Sequence, residues 1–218
     1  MQPATARYDA RWGYRDLDAR RYEKRRYGGA VRQWNLRLLE RGLGRALSDV
    51  PPGSLVLDTP CGTGILGDAL RARGLRVIGA DISAAMLAVA REREGTLGHV
   101  RADLEQPPWR ANAFAAVICS RFLMHLPPAS RPRVLRTLAE LTHGPLVGTV
   151  CHPYTVKQLG RAARRTMGLK AKVSPRLTRA ALEAEVRAAG LVLDRVLPVL
   201  PLLSEVWVVV IRKPAGVS

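Results

Sequence analysis

The stretch Leu55-Val56-Leu57-Asp58-Thr59-Pro60-Cys61-Gly62-Thr63-Gly64-Ile65 decides how this chain folds. Three apolar residues suited to a strand run into an acid, then a Gly-x-Gly turn, then a helical pattern over 65–73 that Gly74 ends. The glycines let the backbone turn tightly and approach a ligand closely. The helix that follows offers unpaired N–H groups at its N-terminus. Strand, glycine turn and helix in that order open a βαβ unit.

The same rhythm continues on the C-terminal side. Short apolar runs at 76–80, 99–102, 114–119 and 145–151 read as strands. Helical patterns over 83–94, with Ser83 as N-cap, and over 132–141 lie between them. This alternation predicts an α/β fold with a doubly wound, mostly parallel sheet and right-handed crossovers. Ligands of such sheets bind outside the carboxyl ends of the strands, at the switch point. A helix over 178–189, ended by Gly190, precedes two runs, 191–200 and 205–212, joined by a short proline-containing link. They read as an antiparallel C-terminal hairpin at the sheet edge, which makes seven strands.

On the N-terminal side the chain is polar, aromatic and basic up to Asp49. Val31, Trp34, Leu38, Leu39, Leu43 and Leu47 share one helical face, and Pro51-Pro52-Gly53 stops that helix. The expected organisation is a helical cap over 1–50 and an α/β domain over 51–218. Within the latter, 152–179 is a basic insert between the fifth strand and the last helix.

Composition narrows the class. The chain has 218 residues, enough for a full single-domain core, and 47% are hydrophobic. Cys61, Cys119 and Cys151 are its three cysteines. They form no CxxC pair and no zinc-spaced cluster, so they read as buried thiols of a reducing cytosol, with no metal site. The first residues contain no apolar leader. The most apolar stretch, 191–211, carries Asp194, Arg195, Glu205 and two prolines, which argues against a spanning helix. A cytoplasmic protein is expected, peripheral at most to the inner face of the membrane.

The net charge of +17 implies attraction to something anionic: nucleic acid, lipid headgroups or an acidic substrate. The insert concentrates it in Lys157, Arg161, Arg164, Arg165, Lys170, Lys172, Arg176 and Arg179, with no acid. If 155–167 is helical, its basic residues fall on one side and Leu159, Ala163 and Met167 on the other. Such a helix fits peripheral contact with an anionic membrane through 153–179. It also fits RNA phosphates or an acidic soluble substrate. Nucleic acid is disfavoured, because no strand carries stacking aromatics.

The glycine loop poses a choice of cofactor. Gly62, Gly64 and Gly67 match Gly-x-Gly-x-x-Gly, and Asp81 ends the second strand, as in a nicotinamide enzyme. Asp58 argues against that reading. An acid directly before the glycine turn repels a pyrophosphate and suits a cofactor with a cationic end. S-adenosylmethionine (SAM) has a sulfonium, an ammonium and no phosphate.

Leu57-Asp58-Thr-Pro-Cys-Gly62-Thr-Gly64 resembles the first motif of class I SAM-dependent methyltransferases, a seven-stranded, Rossmann-like family. Val77-Ile-Gly-Ala-Asp81-Ile-Ser83, with Ala85-Met86-Leu87 after it, resembles the second. Ala102-Asp103-Leu104 resembles the third, and 114–126 the fourth strand and its loop. Together they cover 55–151 in family order and spacing.

The resemblance implies SAM as cofactor and S-adenosylhomocysteine as product. It implies that Asp58 and the backbone of Thr59, Pro60, Cys61, Gly62 and Gly64 hold the methionine part. Asp81 takes the ribose hydroxyls, Ile82 and Met86 sandwich the adenine, and Asp103 accepts from the adenine amino group beside Leu104. Ser120 and Arg121 line the methionine side. N-terminal helices of similar enzymes form a lid, here with Tyr8, Trp12, Tyr14, Tyr22, Arg25, Arg26 and Tyr27, and Arg26 is placed to meet the SAM carboxylate.

Methyl transfer needs the acceptor close to the sulfonium methyl, on axis, in a dry site. A hydroxyl acceptor also needs a base. His125, in the loop after the fourth strand, and His152, after the fifth, are the catalytic candidates, and each has a packing role as its alternative. The loop after the fourth strand reads Ser120-Arg-Phe-Leu. It lacks the Asn-Pro-Pro-Tyr or Asp-Pro-Pro-Tyr of enzymes that methylate exocyclic base nitrogens, and it lacks a Pro-Cys nucleophile. The expected acceptor is a small or lipid-like molecule, methylated on oxygen or nitrogen. An RNA or protein methyltransferase and a non-catalytic SAM-binding partner subunit are the alternatives.

Overall fold

The computed structural model describes residues 18–156, 158 and 176–215. Two helices, α1 (Ala19–Tyr27) and α2 (Ala30–Ala46), come first. The alternating part runs β1 (Leu55–Asp58), α3 (Gly67–Arg71), β2 (Arg76–Asp81), α4 (Ala84–Ala90), β3 (Gly98–Arg101) and β4 (Ala116–Cys119). It continues with α5 (Arg131–Glu140), β5 (Leu146–Cys151) and α6 (Arg179–Ala188), and closes with β6 (Val192–Pro198) and β7 (Val206–Arg212).

The strands form one sheet in the order β3-β2-β1-β4-β5-β7-β6. All neighbours from β3 to β5 pair in parallel, while β7 pairs antiparallel with both β5 and β6. The expected hairpin forms, but its second strand slots inside and leaves β6 as the edge. Chain direction out of the centre reverses between β1 and β4, so their carboxyl ends flank the switch-point crevice.

Side chains alternate across the sheet and feed two cores. Val56, Ala116 and Ile118 pack with Leu39 and Leu43 of α2 and Leu70 of α3 on one face. Leu57, Val117 and Cys119 pack with Leu135 and Leu138 of α5 and Leu182 and Val186 of α6 on the other. With both faces covered, the central strands are apolar throughout rather than alternating. α2 therefore belongs to the sheet's own layering over its second half, whereas α1 has no residue in either core.

The helices around the glycine loop are shorter than their patterns predict. Ser83 caps α4 by accepting from the Met86 N–H, yet the helix stops at Ala90 rather than continuing to residue 94. The chain beyond it folds back on the start of α3. A Cβ on Gly95 would lie 2.4 Å from the Asp68 nitrogen, and one on Gly67 within 3.3 Å of the Gly95 carbonyl. That backbone-on-backbone approach requires glycines and leaves no room for another helical turn. In α2, Leu39, Leu43 and the following Leu47 are buried, whereas Val31 and Trp34 are exposed. The predicted apolar face is thus used over its second half only.

α1 is polar, and Asp18 caps it by accepting from the Arg21 N–H. It is tied to the α4 region by a Glu23–Arg93 ion pair of 2.7 Å and an Arg20–Glu92 pair. Among the described residues no helix is long and apolar enough to cross a membrane.

Candidate active site

The loop after β1 is laced to both neighbouring strands. The Thr59 N–H donates to the Ile118 carbonyl at 2.8 Å, and the Cys61 N–H to the Ala80 carbonyl at 2.8 Å. Gly62 and Gly64 adopt left-handed φ values of 57° and 72°. A Cβ on Gly64 would sit 3.1 Å from that of Ala90, so this glycine also lets α4 approach. The Asp81 carboxylate accepts from the Gly62 N–H and the Ser83 N–H, both at 2.9 Å. One carboxylate at the end of β2 therefore pins the glycine turn and the start of α4 together. After β3, Asp103 accepts from the Glu105 N–H at 3.0 Å and closes its own turn.

These strand ends surround one pocket of about 1150 Å³, its open mouth included. Of the predicted residues, Asp58, Pro60, Cys61, Gly62, Asp81, Ile82, Met86, Asp103, Leu104, Ser120, Arg121 and His125 line it. Asp58 is buried, and its Oδ1 has no hydrogen-bond partner among the described residues. Burial, helped by the neighbouring Asp81 charge, pushes its carboxyl up to about 8. A buried acid in that state is neutral at pH 7, and an approaching cation favours its ionised form. The Ser120 hydroxyl is buried without a partner as well. Burial and the Asp58 charge push the Cys61 and Cys119 thiols far up, so neither is a nucleophile.

The opposite wall comes from the β4 loop and α1. Arg121 is held at φ 60° by its N–H, which donates to Thr149 Oγ1 at 2.6 Å. Its guanidinium lies 5.4 Å from the centre of the Tyr27 ring, a cation–π contact that brings α1 down over the pocket. Tyr22 lines the pocket beside it. His125 ends a 3-10 turn, Leu123–His125. Buried Arg131 secures that turn, its Nε donating to the Leu123 and Leu126 carbonyls at 3.1 Å each. The same guanidinium pairs with Glu185 of α6 at 2.8 Å. Partial burial first, then the Arg26 and Arg121 charges, hold the His125 imidazole below its ordinary value of 6.5. It is neutral at pH 7 and able to take a proton.

Residues 56–143 match the family described as "Methyltransferase domain". Over that stretch the chain is similar to methyltransferase domains. It is 39% identical over 85 residues to a ubiquinone biosynthesis O-methyltransferase of Hahella chejuensis, 36% of either chain. It is 42% identical over 69 residues to a malonyl-[acyl-carrier protein] O-methyltransferase of Serratia marcescens, 32% of this chain and 26% of that one. The matched segments thus span about a third of these relatives or less. The magnesium protoporphyrin IX methyltransferase of Synechocystis PCC 6803, solved with bound S-adenosylhomocysteine, superposes with a TM-score of 0.70 at 21% identity. That overlay covers 94% of this chain and 98% of the other, a likeness of fold.

Four of the predicted site residues stand outside the pocket lining. Thr59 is buried beneath the loop, and Gly64 faces α4. Arg26 is exposed, and its charge acts on His125. His152 is buried apart from the pocket lining, in an aromatic stack. Its ring stacks 4.3 Å from Trp207 and 5.9 Å from Tyr154, and its Nδ1 accepts from the Tyr154 N–H. Tyr8, Trp12 and Tyr14 of the lid, and Lys157, Arg161, Arg164, Arg165, Lys170 and Lys172 of the insert, lie outside the described residues.

The pocket also contains residues that motif reading missed, among them Thr63, Ile65, Leu66, Phe122 and Val134. Thr63 sits inside the quoted glycine turn and was legible there. Val134 reaches the pocket from α5 by packing, which leaves no local signal.

Proposed function

We propose that this chain transfers the methyl group of SAM to oxygen or nitrogen of a small-molecule or lipid-like acceptor. The observation that carries the reading is the buried, unpartnered Asp58 Oδ1 beside a glycine turn pinned by Asp81. An orphaned carboxylate oxygen suits a ligand with a cationic end and repels a phosphate. The residues present fit SAM on that ground.

Asp58 and the loop backbone up to Gly64 hold the methionine end, and Ser120 and Arg121 line its far side. Asp81, whose carboxylate already spans two N–H groups, takes the ribose hydroxyls with its remaining lone pairs. Ile82 and Met86 hold the adenine between them, with Asp103 and Leu104 at its edge. Bound SAM supplies a methyl carbon made electrophilic by its sulfonium. The chain's part is to orient the acceptor, exclude water with Tyr22 and Tyr27, and accept the acceptor's proton at the neutral His125 ring. Two relatives bear the name O-methyltransferase, which favours oxygen.

Titration of the protein with SAM by calorimetry tests the cofactor reading. Tight binding to the wild type, lost by at least about a hundredfold in Asp81→Ala, is the expected result, because that change frees both the ribose site and the glycine turn. Equal affinity in the variant would overturn the placement. The net charge of +17 supports a second reading, an RNA acceptor. Steeply salt-dependent RNA binding would favour it.

A further inference from the structure

β6 runs parallel to β5, so the turn from β6 to β7 emerges at the carboxyl edge of the sheet, where the pocket opens. Cys151 pairs with Val206, and the His152 N–H donates to the Glu205 carbonyl at 2.9 Å, so this turn sits beside the chain that leaves β5. The Val156 N–H then donates to the Leu202 carbonyl at 3.1 Å, joining the two segments. Their apolar side chains point outward: Leu203 is 69% exposed, Leu202 65%, Val156 60% and Tyr154 51%.

Hydrogen bonds and an ion pair brace the turn. The Leu203 N–H donates to the Pro201 carbonyl at 2.8 Å, the Ser204 N–H to the Leu200 carbonyl at 2.9 Å, and Arg176 pairs with Glu205 at 2.8 Å. Leu202 sits at a left-handed φ of 61°, where a branched side chain is disfavoured and Asn or Gly is at ease. Neither folding nor solubility accounts for a leucine pair displayed there. The other exposed apolar residues near strand edges, Leu97 and Val192, are single, which is ordinary for a surface. α2 adds to this edge. Its Gly42 sits against Val199 and Val208 and its Ala46 carbonyl reaches Arg195, so Val31 and Trp34 project past the carboxyl ends.

The sequence that follows Val156 selects the occupant. Between Val156 and Arg176 the sequence carries Lys157, Arg161, Arg164, Arg165, Lys170 and Lys172 and no acid. An apolar tip bordered by basic sequence complements an anionic bilayer surface, which offers headgroup charge outside and hydrocarbon a few ångströms deeper. A nucleic-acid backbone offers the charge but no hydrocarbon layer to receive a leucine pair. We propose that Leu202 and Leu203, with Val156 and Tyr154, insert into the interfacial layer of an anionic membrane and bring the pocket mouth to a lipid-borne acceptor. This rests on the methyltransferase reading above and specifies where its acceptor is met.

The test is co-sedimentation of the full chain with phosphatidylglycerol-rich vesicles and with pure phosphatidylcholine vesicles. The double variant Leu202→Asn/Leu203→Ser serves as comparison. Asn relieves the left-handed strain, so the variant keeps or exceeds the wild-type melting temperature. The expected result is salt-sensitive binding to the anionic vesicles that falls at least about tenfold in the variant. Equal binding by the variant, no binding by the wild type, or a dimer that the variant dissolves would overturn the proposal. SAM titration of both proteins separates the two claims. Absent SAM binding removes the methyltransferase reading, whereas normal SAM binding without the vesicle difference removes the membrane proposal alone.

Discussion

The two walls of the pocket are built differently. The wall from β1, β2 and β3 is held by backbone groups: Asp81 bridges Gly62 and Ser83, and the loop after β1 is tied to Ile118 and Ala80. The wall from β4, α1 and α5 is held by side chains far apart in sequence: Arg131 with Glu185, and Arg121 with Tyr27. A wall made of backbone and short acids tolerates few changes and serves an invariant ligand. A wall made of long side chains can be re-aimed by a few substitutions and serves a ligand that differs between enzymes. On the proposed reading the first wall holds the cofactor, and the second, apart from Ser120 and Arg121 at the methionine side, handles the acceptor.

The largest effect that sharpens this contrast lies at His125. On this account His125→Ala lowers turnover at least about a hundredfold while SAM affinity stays within a factor of two or so. The wild-type profile of kcat/KM against pH then falls on the acid side with a limb below 6.5, because the active imidazole is neutral and its pKa is depressed. Removing one source of that depression in Arg26→Ala moves the limb upward. Near-normal turnover of His125→Ala would make the ring structural.

Next comes the clamp beneath it. Arg131→Met leaves Glu185 without its partner and takes a donor from two carbonyls of the His125 turn, at a cost of about 3 kcal/mol in denaturant unfolding. It should lower kcat/KM and shift the same acid limb, with SAM affinity retained. A loss of SAM binding as large as the loss of turnover would erase the distinction between the walls.

Asp58→Asn probes the first wall. Between its ordinary 3.8 and about 8, the folded ligand-free protein keeps a proton on Asp58 that the unfolded chain has released. Stability therefore declines as pH rises through that window, and the amide removes this contribution. The variant is expected to melt higher than wild type by several degrees at pH 8, roughly 2–4 °C for each kcal/mol recovered. Its SAM affinity is expected to be at least about tenfold weaker. Unchanged affinity would deny Asp58 its cation. The smallest effect belongs to His152→Phe, which keeps the aromatic stack. It should change turnover by less than about threefold, and a larger loss would return His152 to the site.

The first wall was legible in the sequence because its parts are local. An acid, a glycine turn and a capping Ser83 lie within about thirty residues, and each residue type is required by backbone geometry. The alternation predicted the mostly parallel sheet and the C-terminal hairpin, though not that β7 would lie inside β6. What the sequence hid was tertiary. Nothing near Arg131 announces that its guanidinium reaches back to Leu123 and Leu126 and across to Glu185. His152 follows a strand at the ligand edge, and nothing near it in sequence announces that Trp207 of β7 stacks on its ring. Val31 and Trp34 share the helical period of Leu39 and Leu43, yet no strand reaches far enough to cover them.

Label transfer tests the central claim most directly. The purified protein is incubated with methyl-labelled SAM and an extract of its own source, and the lipid, small-molecule, RNA and protein fractions are separated and counted. Label in the lipid or small-molecule fraction, absent with His125→Ala, is the predicted result. Label confined to RNA or protein would contradict the acceptor class, and label in no fraction would contradict methyl transfer itself.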